Sequence, residues 1–157
     1  MSKKTTDRII EVLTQVYTAE ISAVGIYMDQ HARMKDQGLN KFADQLEKDA
    51  VQEMKHAEAL MDRIHYVGGP VKYEKHEVPD VQMNSALDMI KVNIALEERA
   101  IKRLSEGIRM CFEDGDHGTR LLLEKILVDE ETHLGEYESL RDLVEQYGNN
   151  YIVSHMI

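Results

Sequence analysis

The sequence predicts an all-α protein: an antiparallel four-helix bundle with a long crossover between helices 2 and 3 and a short fifth helix at the C-terminus. Three observations carry this. Apolar residues recur at steps of three and four through four long stretches. Glycines divide those stretches, at Gly38, at Gly68 and Gly69, at Gly115 and Gly118, and at Gly148. Both prolines, Pro70 and Pro79, fall in one central linker, so residues 1–69 and 80–157 are free of the strongest helix breaker.

The first helix is expected near 7–37, with Leu13, Val16, Val24 and Tyr27 along one stripe, and the second near 40–67, with Phe42, Leu46, Ala57, Leu60 and Ile64. The third, near 82–113, carries Ile90, Ala100, Leu104 and Ile108. The fourth, near 118–147, carries Leu123, Ile126, Tyr137, Leu140 and Val144. Thirty helical residues span about 45 Å. The short turns around Gly38 and Gly115 imply two antiparallel hairpins. The linker from 67 to 82 is too long for a turn and suits a crossover along the bundle. A tail helix near 149–155, with Tyr151, Ile152, Val153, Met156 and Ile157 in the last segment, needs something to cover it, such as another subunit.

The 157 residues suit a single domain over 1–157, and 43% hydrophobic with 31% charged residues is a globular composition. No apolar run approaches the length of a bilayer-spanning helix, and the N-terminus, MSKKTTDRII, turns amphipathic at once; the expectation is no membrane span and no secretory signal. A lone cysteine, Cys111, makes no internal disulfide, which fits a cytoplasmic protein, and it reads as a small buried apolar residue. The formal charge of −10 repels nucleic acid and anionic lipid and attracts cations.

The informative residues interrupt the apolar stripes. Glu20 sits between Val16 and Val24; Glu53 and His56 follow Leu46 and Asp49 or Ala50; Glu97 lies between Asn93 and Ala100; Glu130 and His133 lie between Ile126 and Tyr137. Four glutamates and two histidines therefore point toward one core, with no Lys or Arg on those lines. A buried, unpaired carboxylate costs several kcal/mol, so either the carboxyls protonate or cations sit among them. Two divalent ions balance four carboxylates while neutral histidines supply nitrogen ligands.

Spacing sharpens this. The interval from Glu20 to Glu53 equals that from Glu97 to Glu130; Glu53 to His56 and Glu130 to His133 are both Glu-x-x-His; the second set is the first moved along the chain by one constant offset. At i and i+3 a Glu and a His share one helix face and reach one ion. One such motif means little, but two in register, each paired with an upstream core glutamate, describe a di-iron carboxylate bundle. Mixed oxygen and nitrogen ligands suit iron or manganese better than structural zinc.

These residues resemble the bacterioferritin family, in the ferritin-like group, over nearly the whole chain. The resemblance rests on Glu20 with Tyr27 and His31-Ala32-Arg33, on QEMKHAE at 52–58, on ALEERAIKRLSEGI at 95–108, on LVDEETHLGEYE at 127–138, and on Gly148, Asn150 and Tyr151 of the tail. It implies that Glu20 and His56 bind one iron, Glu97 and His133 a second, with Glu53 and Glu130 bridging. It also implies haem b shared between two subunits with Met54 as axial ligand, and a homo-oligomeric shell of 24 chains built from two-fold dimers. The implied activity is ferroxidase: Fe(II) is oxidised by O₂ or H₂O₂ and stored as ferric mineral, with a ferredoxin-like reductase as redox partner. The chain departs from the family at Lys48 and Gln52, where a His and an Asp often face the cavity. The alternatives are an uncaged di-iron peroxidase or oxidase of the rubrerythrin type, and a helical interaction module.

Smaller features carry two readings each. Tyr27, two turns beyond Glu20, is either a core tyrosine bonded to a carboxylate or an electron donor to the metals. Met54 points about 100° from the core stripe, toward a face shared with Val51, Met61, Ile21, Gly25 and Met28; by itself that strip reads as a Met-rich dimer contact. The turn Glu113 to His117 caps a helix or lines a pore. His31, His65, His76 and His155 read as surface or interface residues, and Glu47-Lys48-Asp49 as a solvated face.

Overall fold

The computed structural model describes residues 3–75 and 83–157, and five helices make up its regular structure: α1 (Lys3–Asp36), α2 (Asn40–Tyr66), α3 (Ala86–Glu113), α4 (His117–Tyr147) and α5 (Asn149–His155). α1 packs along α2 and α3 along α4 as antiparallel hairpins, and α1 also meets α3 while α2 meets α4. The four-helix bundle with a short terminal helix is the architecture predicted from the apolar stripes.

Helix ends explain where the boundaries differ. α1 begins at Lys3 rather than near residue 7, because Lys3 to Thr6 contain no breaker and extend it by a polar turn. α3 begins at Ala86 rather than near residue 82: Ser85 is extended at φ −137° and its hydroxyl accepts the Asp88 N–H at 3.1 Å, satisfying a donor that the helix start leaves free. Both hairpin turns pass through a left-handed glycine, Gly38 at φ 78° and Gly115 at φ 74°, where a side chain would be strained.

The linker leaves α2 at Val67 and runs back along α1. The Tyr73 hydroxyl lies 3.2 Å from Ser22 Oγ, and the Glu74 N–H donates to Thr18 Oγ1 at 3.2 Å. Residues 76–82, with His76 and Pro79, lie outside the described residues, so the rest of the expected crossover falls there.

Two dry cores lie at opposite ends of the bundle. One gathers Tyr27, Met34, Phe42, Leu46, Met89, Ile90 and Tyr137. The other gathers Ile9, Leu13, Leu60, Ile64, Leu104, Cys111, Leu123 and Ile126. Cys111 is fully buried, as its apolar reading requires. Glu20, Glu53, Glu97 and Glu130 come between the two sets on their respective helices, so the polar layer is sealed from both ends.

The tail corrects one expectation in part. Met156 is buried against the chain's own first core, and its carbonyl accepts from the N–H groups of Lys41 at 3.0 Å and Phe42 at 3.4 Å. The tail thus caps α2, which has no side-chain cap of its own. Only Val153 and Ile157 are left exposed among its large apolar side chains. By length and composition a window of α1 is apolar enough to cross a bilayer, but 56% of that window is buried in the molecule, as in a bundle core helix.

Candidate metal centre

Each helix of the bundle delivers its glutamate at mid-height. Glu20, Glu53, Glu97 and Glu130 are all at most 2% exposed, and His56 and His133 at most 7%. The six sequence-predicted residues converge into two groups of four, each group within 4.8 Å by ligand atoms: Glu20, Glu53, His56 and Glu130, and Glu53, Glu97, Glu130 and His133. Glu53 and Glu130 belong to both.

Glu53 links the histidines directly. Its Oε2 is 3.1 Å from His56 Nδ1 and its Oε1 is 3.1 Å from His133 Nδ1. His56 Nδ1 also lies 3.2 Å from Glu20 Oε2 and 3.2 Å from Glu130 Oε1. Closeness and bonding diverge here. Glu53 Oε1, Glu130 Oε1 and His133 Nδ1 are buried without a hydrogen bond, because their lone pairs and N–H directions do not meet along a line. Donors that crowd to about 3 Å without bonding one another fit a shared ion between them. The chemistry of the set, four hard oxygens with two imidazoles, fits divalent iron or manganese.

Electrostatics agree. Burial pushes the Glu20 and Glu97 carboxyls well above the ordinary range, and Glu130 to about 7. Glu53 goes the other way, to about 2: burial opposes its charge, but the His133 and His56 imidazoles against its two oxygens outweigh it. Burial likewise works against the charged histidines. The surrounding carboxylates win, raising His133 to about 9 and His56 further. Without metal these carboxylates favour protons on the two imidazoles, whereas the neutral imidazoles of the charge count belong to the metal-bound cluster. Metal binding at such a set must displace those protons.

Several partners were not legible in the sequence. His56 Nε2 meets Asp129 Oδ2 at 3.0 Å, a carboxylate that fixes which ring nitrogen faces the cluster. Asp129 directly precedes Glu130, so its position beside the second Glu-x-x-His was the available signal. Tyr27, by contrast, is the core tyrosine bonded to a carboxylate that the sequence offered: its hydroxyl donates to Glu97 Oε1 at the cluster's edge. The Tyr137 ring lies 6.1 Å from that of Tyr27, and its hydroxyl donates to Asp49 Oδ2. Asp49 is therefore not on a solvated face: it is 4% exposed, and Gln45 Nε2 donates to its other oxygen at 2.9 Å. Gln30 and Asn93 exchange amide hydrogen bonds at 2.8 and 2.9 Å, which satisfies the buried Asn93 on the α3 stripe.

Other candidates sit elsewhere. Met54 is 51% exposed on the outer face of α2, with Val51 and Met28 also exposed, and a Cβ at Gly25 would meet nothing within 4 Å. His31 is partly buried rather than superficial, with Nδ1 2.8 Å from the Ala43 carbonyl, and His155 stacks on Tyr151 at 4.5 Å. The acidic turn caps α4: Asp116 accepts from the Thr119 N–H at 3.0 Å and from Arg63 at 2.7 Å.

Comparison with known proteins meets this geometry. Residues 10–146 match the family described as Ferritin-like domain. The chain is 32% identical to a bacterioferritin of Desulfovibrio desulfuricans across 92% of its own length and 80% of the relative's. It is 31% identical to a bacterioferritin of Mycobacterium leprae, over 89% and 87% of the two chains. Against a bacterioferritin of Streptomyces coelicolor it is 33% identical, over 95% and 89%.

Proposed function

The chain belongs to the bacterioferritin family, within the ferritin-like group, and from that premise we propose that it is an iron-storage protein with ferroxidase activity. In this reading it takes Fe(II) into an intrasubunit di-iron centre and passes Fe(III) to a ferric mineral inside a shell of 24 chains. The observation that carries the reading is the pair of overlapping four-ligand groups sharing Glu53 and Glu130. Family membership supports iron storage and metal binding; the ligand roles, the activity and the shell are the finer proposal.

In that proposal Glu20 and His56 hold one iron, Glu97 and His133 the other, and Glu53 and Glu130 span both. Iron supplies the redox chemistry: each Fe(II) gives one electron, and O₂ or H₂O₂ takes the pair. The chain's residues do the rest. Four carboxylates balance two divalent charges in a site from which water is largely excluded, where such charge pairing is strongest. Asp129 keeps His56 Nδ1 turned inward. Tyr27 holds Glu97 by its hydroxyl, and its buried phenol stands close enough to serve as an electron donor.

We further propose haem b at a two-fold subunit contact with Met54 from both chains as its axial ligands. The exposed thioether on an apolar strip beside the open face at Gly25 fits a flat apolar ligand. Met54→Leu keeps the volume and removes the sulfur; it should abolish haem content and the Soret band, and an unchanged spectrum would exclude Met54.

Size-exclusion chromatography of iron-loaded protein, with an absorbance spectrum of the peak, tests the whole reading. A shell-sized particle carrying ferric iron is expected. A monomer or dimer that still oxidises iron would instead favour the uncaged rubrerythrin-type reading, and a peak without metal the interaction module.

A further inference from the structure

The cluster opens outward between α1 and α3, where Ala19, Ala23 and Ala100 leave a slot lined by the ligand carboxylates. The void is about 20 Å³, room for roughly one water-sized molecule. Its outer wall is Arg99 and Arg103. Arg103 is half-buried and forms no ion pair with any described residue. Burial disfavours its charge, and Glu20 is the carboxylate that most restores it, ahead of Glu106 and Glu130, with Arg99 opposing. A guanidinium does not deprotonate, so this charge persists at any working pH.

Beyond the slot, two hollows share Arg103 as a wall. One, of about 240 Å³, sets Arg8, Arg103 and Arg109 against Glu106 and Glu113. The other, of about 130 Å³, sets Lys75 and Arg103 against Glu74. Cations outnumber carboxylates at both, on a chain whose formal charge is −10. The opposite approach differs. A hollow of about 570 Å³ reaches His56, lined by Glu47, Lys48, Lys55 and Asp129, and there a carboxylate stands nearest the ligands, Asp129 at 3.0 Å from His56 Nε2.

We propose that Arg103, backed by Arg99, is a charge gate on the outer mouth of the metal centre. It turns divalent cations away from this entrance and reserves it for small uncharged molecules, leaving metal entry to the Asp129 face. The inference rests on the metal-centre reading above and assigns the two approaches different traffic. A fixed positive charge at a narrow, low-dielectric mouth acts on a divalent ion with twice the force it exerts on a monovalent one and barely acts on O₂ or H₂O₂.

Co(II) is the probe, added to the metal-free full-length protein, with association followed by its absorption in stopped flow and dissociation by a chelator chase. Arg103→Gln should raise the Co(II) association rate about tenfold with dissociation unchanged, and Arg103→Lys should stay at the wild-type rate. Arg99→Gln, farther out and exposed, should give a smaller rise of about twofold. Raising the salt concentration should shrink the difference between wild type and Arg103→Gln. Equal association rates, or a change confined to dissociation, would overturn the gate and leave Arg103 a mere charge balance for Glu20. Failure of the wild type to bind two Co(II) per chain would overturn the metal centre itself, and the gate with it.

Discussion

In the first hairpin Glu20, Glu53 and His56 furnish one half of the cluster; in the second, Glu97, Glu130 and His133 furnish the other, all three displaced along the chain by the same interval. The ligands repeat, but their surroundings do not. Tyr27 bonds Glu97, while its counterpart at that interval is Leu104, fully buried in the far core. Asp49 and Tyr137 bond one another, while their counterparts are Ile126 and Leu60. Asp129 holds His56, while its counterpart is Gln52, and no described residue bonds His133 Nε2. One end of the cluster is flanked by a buried phenol and carboxylate network and the other by hydrocarbon. A repeated set of candidate ligands therefore need not give two equivalent surroundings, because the groups that orient them come from different helices.

The largest break in this comparison is at Glu53, which alone among the described residues pairs with both histidines. Glu53→Ala should abolish binding of two metals per chain, read as Co(II) stoichiometry, because the variant removes the carboxylate common to both candidate ligand groups and leaves His133 with only the more distant Glu97 at 3.8 Å. Retention of two ions would show that Glu130 alone bridges.

Asp129→Asn should act on one position only. Outer carboxylates of this kind are worth about 10- to 100-fold in metal affinity, so titration should resolve one weakened and one unchanged ion. Gln52→Asp is the sharpening counterpart: it puts a carboxylate at the position that matches Asp129 in the repeat, and should tighten the second position by less than that. Equal effects of Asp129→Asn on both ions would remove the asymmetry.

The hairpin turns differ as well, and melting curves of the metal-free protein read them. α2 is capped by the Met156 carbonyl with the Met156 side chain buried at 3% exposure, so Met156→Ala should cost about 2–3 kcal/mol through a cavity at the tail. α4 is capped by Asp116, and Asp116→Asn should cost less, about 1–2 kcal/mol. The smaller effect carries a pH signature. Burial opposes the Asp116 charge, but Thr119 and Arg63 outweigh it and hold its pKa below the ordinary value. A group depressed on folding contributes above its unfolded pKa and loses that contribution as pH falls through the folded one. The gap between wild type and Asp116→Asn should therefore be full near neutrality and close below about pH 4; a gap that persists in acid would assign the effect to the cap rather than the charge.

The sequence by itself determined the helices, their pairing into hairpins and the six residues that converge in the bundle. All of these are local or periodic: stripes repeat every three or four residues, Glu and His sit at i and i+3, and the two halves share one offset. Such spacing is read along a single helix and needs no knowledge of how neighbours are rotated. Only the tertiary structure decided what stands around the ligands. Asp129 against His56, Tyr27 against Glu97, Tyr137 against Asp49 and Arg103 at the outer mouth each depend on the axial register and rotation between helices. A shift of one residue turns a helix face by about 100° and moves it about 1.5 Å. That is enough to exchange a buried partner for an exposed one. For the same reason Asp49 read as solvated in sequence and is buried in the fold, where α4 brings Tyr137 over it.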